Sequence, residues 1–400
     1  MQNAHPHQES PRFQIGNVLL ISFSHFLNDT YAAFVAPLLP LLITKLGLSY
    51  FLAGALAAVA RIPAVFNPLI GIIADKVRLR DFIILTPAIT VVMMSLLGVA
   101  PSYPVLVLLM LVAGASTAAY HVTAPVMMRY LAGDKVGRGM SFFMLGGEIA
   151  AAVGPLVILG AVALWGLEGT YWLIPVGVSG SLFLYVRFKG ISLQRHFRSP
   201  LKKPISLRQT SRTLLPLFLR LTGVCFALAG IESALTSFLP IYLTAKGVNL
   251  WTAGASLSLL QVGGIAGSIL AGPFSDRFGR KSVLLSIVVI LPMLMWLFIL
   301  SHGIFLILLL IVLGTFLSGS RPVLLAIVHD TNSEYPAYVN GTYMMISFVV
   351  NSLMVLVLGM LSDKIGLEQT YSIAAALSLG AVPCVLLLPG KISIPPFITK

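Results

Sequence analysis

Charged residues are scarce in this chain: Asp, Glu, Lys and Arg make up 10% of its 400 residues, whereas hydrophobic residues make up 58%. The mean hydropathy is +0.96, and a soluble core cannot hide that much apolar surface. The apolar runs reach the roughly 20 residues of a spanning helix, and they lack the alternation of barrel strands of about 10 residues. The composition therefore excludes a soluble protein and predicts an all-α polytopic membrane protein.

Cysteine and catalytic motifs are also sparse. The two cysteines, Cys225 and Cys384, both lie in apolar segments, so we expect neither a disulfide nor a metal site. The sequence has no G-x-x-x-x-G-K-[ST] loop for an ATP-driven motor and no visible pair of nucleophile and base. We therefore expect a protein that is not an enzyme and needs no cofactor, with a proton gradient as its energy source.

Acidic residues number 13 against 26 basic ones, which gives a net charge of +13. A basic excess can indicate a nucleic-acid partner. Here, however, most Lys and Arg fall in loops that we predict to face the cytoplasm, as the positive-inside rule requires. Topology therefore explains the charge, and we expect membrane lipids and a small molecule as partners, and no nucleic acid.

Twelve apolar segments predict twelve spanning helices, which place both termini in the cytoplasm. The longest polar interval, 189–212, is rich in Lys and Arg and divides the spans six and six. It reads as a linker at the lipid surface. We predict a cytoplasmic tail at 1–12, a six-helix bundle at 13–188, a basic cytoplasmic loop at 189–212, a second six-helix bundle at 213–390 and a cytoplasmic tail at 391–400.

The two halves repeat each other. Pro40 and Thr44 line up with Pro240 and Thr244, and a basic turn that begins at Gly272 has a degenerate copy that begins at Gly71. A weaker echo, Gly359-Met-Leu-Ser-Asp363, ends the eleventh span on the opposite side of the membrane. A motif that recurs between halves and, inverted, within a half is typical of a secondary transporter built from three-helix units.

Ionisable residues inside the spans need a partner or a purpose, because each costs roughly 2.5–3.5 kcal/mol at mid-bilayer. In the first span, His25, Asn28 and Asp29 form one polar stripe. Asp29 and Arg61 both lie about 21 Å from the cytoplasmic end, so they are plausible partners. Two interpretations follow: a structural ion pair, or an Asp29 that exchanges a proton with His25 one turn away.

Further polar residues lie in the fourth, fifth, seventh and tenth spans. His121, which follows Tyr120, and Glu148 lie at matching depths, and Glu232 lies one turn outward of the counterpart of Asp29. For His121 and Glu232, structural and functional roles are equally open. We favour Arg321 as a ligand group, since a guanidinium suits phosphate, phosphonate or carboxylate oxygens.

Over its whole length the chain resembles the major facilitator superfamily, through its twelve spans, basic central loop and repeated turn. The resemblance implies two pseudo-symmetric six-helix bundles around a cavity lined by spans one, four, seven and ten, where His25, Asp29, Tyr120, His121, Glu232 and Arg321 converge. It also implies a gate that latches the halves on the cytoplasmic side. The gate residues are Gly71, Asp75, Arg78, Arg80, Gly272, Asp276, Arg277, Gly279 and Arg280. Arg78 departs from the family pattern, in which glycine is usual.

Within that superfamily, the first span is similar to that of the fosmidomycin-resistance-type efflux proteins, from Ser24 to Tyr31 and at Pro37 and Pro40. The Gly146-Gly147 and Gly154-Pro155 pairs agree, and in that group the pattern is associated with antiport. Ala150 and Glu148 depart from it.

These features predict a proton-coupled exporter of the drug/proton antiporter type, which expels a small anionic or amphipathic organic compound by alternating access. It would work as a monomer in the inner membrane. We assign Asp29, His25 and Glu148 to proton coupling, and Asn28, Tyr120, His121, Glu232 and Arg321 to the substrate cavity. The alternatives are a proton symporter that imports an organic acid or other metabolite and, more remotely, a membrane sensor on a transporter scaffold.

Overall fold

The structure, a computed structural model, describes residues 13–67, 79–133, 136–189, 207–331 and 336–388. Within these ranges, eleven helices are long and apolar enough to cross a membrane, and the shorter apolar helix Tyr50–Phe66 occupies the place of the second span. The prediction of an all-α membrane protein is therefore confirmed.

We number the helices by span. In the first half they are α1 (Ile15–Ala32, continued by Val35–Leu46), α2 (Tyr50–Val59, then the 3-10 turns Ile62–Phe66), α3 (Leu79–Ser95), α4 (Tyr103–Ala132), α5 (Val136–Trp165) and α6 (Leu173–Phe188). In the second half they are α7 (Leu207–Ser233, continued by Ala234–Phe238 and Leu239–Ala245), α8 (Leu250–Phe278), α9 (Arg280–Leu300), α10 (Ile304–His329), α11 (Pro336–Ile365) and α12 (Leu367–Ser378 and Ala381–Leu386).

Two helices differ from the predicted spans. The second span, predicted as one spanning helix, leaves the α-helical form after Val59 and turns at Arg61 into a 3-10 segment that contains Pro63. Proline has no N–H to donate and its ring crowds the preceding turn, which accounts for the break. Helix α7 already begins at Leu207, inside the interval predicted as a loop.

The two halves repeat each other in their side-chain bonds as well. At the end of α1, Lys45 Nζ donates to Gly98 O at 2.8 Å and contacts Glu168 at 3.0 Å. At the end of α7, Lys246 Nζ donates to Ile299 O at 3.2 Å and contacts Glu368 at 3.2 Å. Burial opposes the charge of Lys246, but Tyr242 and Glu368 outweigh it and raise the pKa of its ammonium. The repeat seen in the sequence is therefore a repeat of structure.

The two halves meet at the end of the bundle where Tyr50 and Asp363 lie. We call this end the far side, and we call the opposite end, at which α1 begins, the terminal side. On the far side, α2 packs against α11 so closely that a Cβ on Gly359 would lie 2.8 Å from Tyr50 O. The Asp363 carboxylate accepts hydrogen bonds from Tyr50 N at 2.7 Å and Phe51 N at 2.9 Å. These two hydrogen bonds join the halves, so the far side is closed.

Candidate functional site

Asp29 of α1 lies between two imidazoles. Its Oδ2 is 3.1 Å from His25 Nε2, one turn earlier on the same helix, and 3.6 Å from His121 Nε2 of α4. Its Oδ1 accepts a hydrogen bond from Asn28 Nδ2 at 2.9 Å. The His25 side chain is 5% exposed and that of His121 is 42% exposed, so the cluster has a closed wall on one side and an open passage on the other.

In each imidazole, the contact of Nδ1, the ring nitrogen that does not face Asp29, determines which nitrogen carries the hydrogen. His25 Nδ1 is 2.7 Å from Phe143 O and His121 Nδ1 is 3.0 Å from Thr117 O. A carbonyl only accepts, so both Nδ1 atoms carry hydrogen, and each neutral ring then points an Nε2 lone pair at Asp29. A carboxylate facing two lone pairs is repulsive, and a proton shared among the three groups removes the repulsion. The geometry of the cluster therefore allows it to hold a proton.

The ligand atoms of His25, Asp29 and His121 also lie within 4.8 Å of one another, which makes this trio the group of described residues that has the spacing for a metal ion. A proton fits the three side chains more simply than a metal ion does, because His25 Nε2 and Asp29 Oδ2 already lie at ion-pair distance. The buried His25 Nε2 has no aligned hydrogen bond in the part of the chain that the structure describes, so a proton at this nitrogen would be held by a contact that small movements can alter.

Glycine in α5 lets that helix close over the trio. A Cβ on Gly147 would lie 2.6 Å from His25 Cε1, and one on Gly154 would lie 2.5 Å from Thr30 O. Phe143, one turn before Gly147, stacks on the His25 ring with centroids 4.0 Å apart. The glycines of the fifth span therefore let α5 pack closely on α1, and Gly147 and Phe143 together enclose the His25 ring.

Asn28 and Tyr120, predicted to line the cavity, are instead fully buried. Asn28 Oδ1 accepts from Thr90 of α3 at 3.0 Å, and Tyr120 packs behind His25 with ring centroids 5.8 Å apart. Both support the trio from behind, because the helix turns their side chains toward α3 and α1. Thr90 was not predicted as a site residue, because it stands in a largely apolar stretch of the third span.

In the second half, α7 and α10 bring Glu232 and Arg321 together. Arg321 donates from its terminal nitrogen to Glu232 Oε1 at 2.6 Å, and the two side chains are 24% and 55% exposed, for Glu232 and Arg321 respectively. Glu148 of α5 is partly buried and lies within electrostatic range of Arg321, His25 and Asp29. The structure therefore brings the charges of both halves to one passage, with Glu148 between them.

Arg61 is not the partner of Asp29. Asp29 contacts the two histidines, whereas Arg61 is within electrostatic range of Glu232 and Arg321 and forms no ion pair or hydrogen bond with any side chain in the described ranges. The reason is the break in α2, which turns the chain at Arg61 toward the interface with the second half.

Of the predicted gate residues, Gly71, Asp75 and Arg78 lie outside the described residues. Arg80 contacts Asp81 at 3.2 Å and donates to Lys189 O at 3.2 Å. In the second copy, Arg280 pairs with Asp276 and with Asp330, the latter at 3.2 Å. This copy ties the α8–α9 turn to the end of α10 within one half. The remaining members lie in or beside that turn: Gly272 in open space, Gly279 with a φ of 91°, and Arg277 over the Phe278 ring at 5.4 Å.

Comparison with known proteins gives one family. The sequence profile described as the Major Facilitator Superfamily matches residues 21–353. The fosmidomycin resistance protein of Escherichia coli (strain K12) is 23% identical over 380 residues, which cover 92% of this chain and 91% of that protein. Among solved structures, a mutant form of the nucleoside transporter NupG has a TM-score of 0.74 at 16% identity and covers 93% of this chain and 99% of its own. A D-xylose-proton symporter has a TM-score of 0.74 at 14% identity and covers 94% and 98%. The predicted fold of two six-helix bundles is the fold of these transporters.

Proposed function

The chain belongs to the Major Facilitator Superfamily and is a transporter, not an enzyme, and from that premise we propose that it is a proton-coupled exporter of a small anionic or amphipathic organic compound. The observation that carries the proposal is Asp29 held between two imidazoles at the wall of the passage. The likeness to a fosmidomycin resistance protein supports export.

In the proposed mechanism, the proton is bound by the trio of His25, Asp29 and His121. With a shared proton, Asp29 and its histidines form a compact group with a balanced charge; without it, the carboxylate faces two lone pairs. His25, Asp29 and His121 all lie in the first half, so a change in the angle between the halves moves Glu232 and Arg321 of the second half relative to the trio. Such a movement changes the affinity for the proton, which is what coupling to a rocking motion requires.

In the proposed mechanism, the substrate is first met by the charged residues of the second half, Arg321 and Glu232. Arg321 is paired with Glu232, yet more than half of its side chain is exposed to the passage. An anion from the terminal side can therefore reach the guanidinium without breaking a buried contact. Glu148, within electrostatic range of both Arg321 and the trio, links the arrival of a negative charge at Arg321 to the proton at Asp29.

For the orientation we propose a multi-pass protein of the inner membrane with both termini in the cytoplasm, working as a monomer. The positive-inside distribution of Lys and Arg supports it. The terminal side then faces the cytoplasm, and the closed far side faces outward, so the described state takes up its substrate from the cell.

The experiment uses everted vesicles from an efflux-deficient host that expresses the chain, with fosmidomycin as the substrate and a respiratory pH gradient as the driving force. We expect uptake into the vesicles that collapses with nigericin, absent in Asp29→Asn and retained in Glu168→Gln, a matched far-side carboxylate outside the passage. No gradient-driven uptake into vesicles, with proton-driven accumulation in whole cells, would show the symporter instead.

A further inference from the structure

A cavity of about 230 Å³ lies between the two halves, directly beyond the charged clusters. Ala33 of α1 is one turn past Asp29, and Thr236 of α7 is one turn past Glu232; both line the cavity. Helices α2, α5 and α8 contribute Arg61, Pro155 and Gln261. The cavity is therefore the blind end of the passage, on the side where the halves are docked.

Arg61 brings a positive charge to this cavity that nothing in it neutralises. Among the described residues that line the cavity, Arg61 alone is charged. The acid within its electrostatic range, Glu232, is already bonded to Arg321, and Arg321 itself repels Arg61. Charged side chains inside a membrane pair with one another or mark the path of a ligand, and Arg61 forms neither an ion pair nor a side-chain hydrogen bond with the described parts of the chain.

Packing does not explain the arginine either. Its repeat counterpart is Gln261, at the offset that relates Gly54 to Gly254, and Gln261 lines the same cavity as a neutral amide. The second half thus fills the equivalent position without a charge. The break after Val59 is what presents the Arg61 side chain to the cavity.

Building on the proposed transport of an organic anion, we propose that Arg61 binds the charged group of the substrate in this cavity. The ligand is a compact oxyanion, a carboxylate or phosphonate, on a small apolar body. The guanidinium fork matches two oxygens of such a group. The Gln261 amide is available as a further donor, and the alanine-rich wall receives the apolar body. The volume lies just below the roughly 300–1,000 Å³ of drug-sized sites, which favours a single small ring.

The test is equilibrium binding to the purified full chain in detergent, measured by titration calorimetry without a proton gradient. The probes are benzoate and phenylphosphonate, with benzamide as the neutral analogue. The variants are Arg61→Gln, which installs the residue of the repeat counterpart, and Arg61→Lys, which keeps the charge. The matched control is Arg220→Gln, which removes another partly buried helix arginine that does not line the cavity.

We expect Arg61→Gln to weaken binding of both anions at least about tenfold, in the range of a lost charge-assisted pair, and to leave benzamide unchanged. Arg61→Lys is expected to keep most of the affinity and Arg220→Gln all of it. The inference is overturned if the wild type binds the anions no better than benzamide, or if Arg61→Gln binds them as the wild type does. An equal loss for anions and benzamide also overturns it, since that would be a packing effect.

A second measurement needs no variant. Phenylglyoxal modification of the wild-type chain, mapped by peptide mass spectrometry, should slow at Arg61 and not at Arg220 when benzoate is added; equal rates at Arg61 with and without benzoate would contradict the inference. Failure of the proposed function looks different. If anions bind at Arg61 but no proton-driven transport occurs, the proposed proton coupling is refuted and the anion site stands. If transport is proton-coupled but the anion affinity does not depend on Arg61, the coupling stands and the anion site is refuted.

Discussion

The far-side contact of Asp363 makes a specific prediction about the balance between the two states of the transporter. Its carboxylate accepts two backbone hydrogen bonds, from Tyr50 N at 2.7 Å and Phe51 N at 2.9 Å, at the first turn of α2 in the opposite half. The negative charge also complements the helix dipole there. These contacts can exist only while the far side is closed, so Asp363→Ala should favour the open state.

The magnitude follows from the bonds. Hydrogen bonds to a charged group contribute about 1.5 to 3 kcal/mol each when water is excluded. Asp363 is exposed, so water competes for both, and we take about 2 kcal/mol for the pair together. Because 1.4 kcal/mol is a tenfold change in an equilibrium constant, the ratio of far-side-open to far-side-closed molecules should rise about 30-fold.

Double electron–electron resonance measures that ratio directly. Spin labels at Thr44 and Ala245, exposed at the far ends of α1 and α7, report the separation of the halves once Cys225 and Cys384 are replaced by serine. Asp363→Ala should shift the distance distribution to longer values. Glu368→Ala, the control, removes a far-side carboxylate bonded within its own half and should not. An unchanged distribution in Asp363→Ala would refute the reasoning.

Two further substitutions test the trio and the α8–α9 turn. Gly147→Ala places a methyl group 2.6 Å from the His25 ring, so it should destabilise the chain by about 1–3 kcal/mol and abolish proton-coupled transport. The control Gly160→Ala, whose methyl group would lie in open space, should do neither; thermal unfolding and vesicle uptake measure the two effects. Arg280→Gln removes the bonds to Asp276 and Asp330. The kcat of transport should fall about two- to fivefold, as expected for a partly exposed ion pair, and KM should be unchanged. A large rise in KM with normal kcat would contradict a gate role.

Much of the fold could be predicted because a membrane reduces the alternatives. Apolar runs long enough to span it become helices, and the lined-up Pro40 and Pro240 already show two like halves. The break in α2 was less visible, although Pro63 was its signal. The predicted helix continued through it because an apolar segment around one proline still satisfies the hydropathy pattern.

The site was harder to predict, because sequence spacing gives depth along a helix but not the direction in which a side chain points. Asp29 and Arg61 lie at similar depth, and the prediction paired them on that ground alone. Rotation about the helix axes decides otherwise: Asp29 faces His121 of α4, and Arg61 faces the second half. Asp363 did carry a signal, since it ends an inverted copy of the glycine–aspartate turn, but its bond to α2 required the packing of two distant helices.

The central claim is that His25, Asp29 and His121 hold a proton that is exchanged for substrate. A pH-indicator dye in weakly buffered detergent measures proton release when fosmidomycin is added to the purified chain. Antiport requires the substrate and the proton to displace each other, which predicts release of about one proton per bound substrate from the wild type and none from Asp29→Asn. Equal release from both would show that the exchanged proton lies elsewhere.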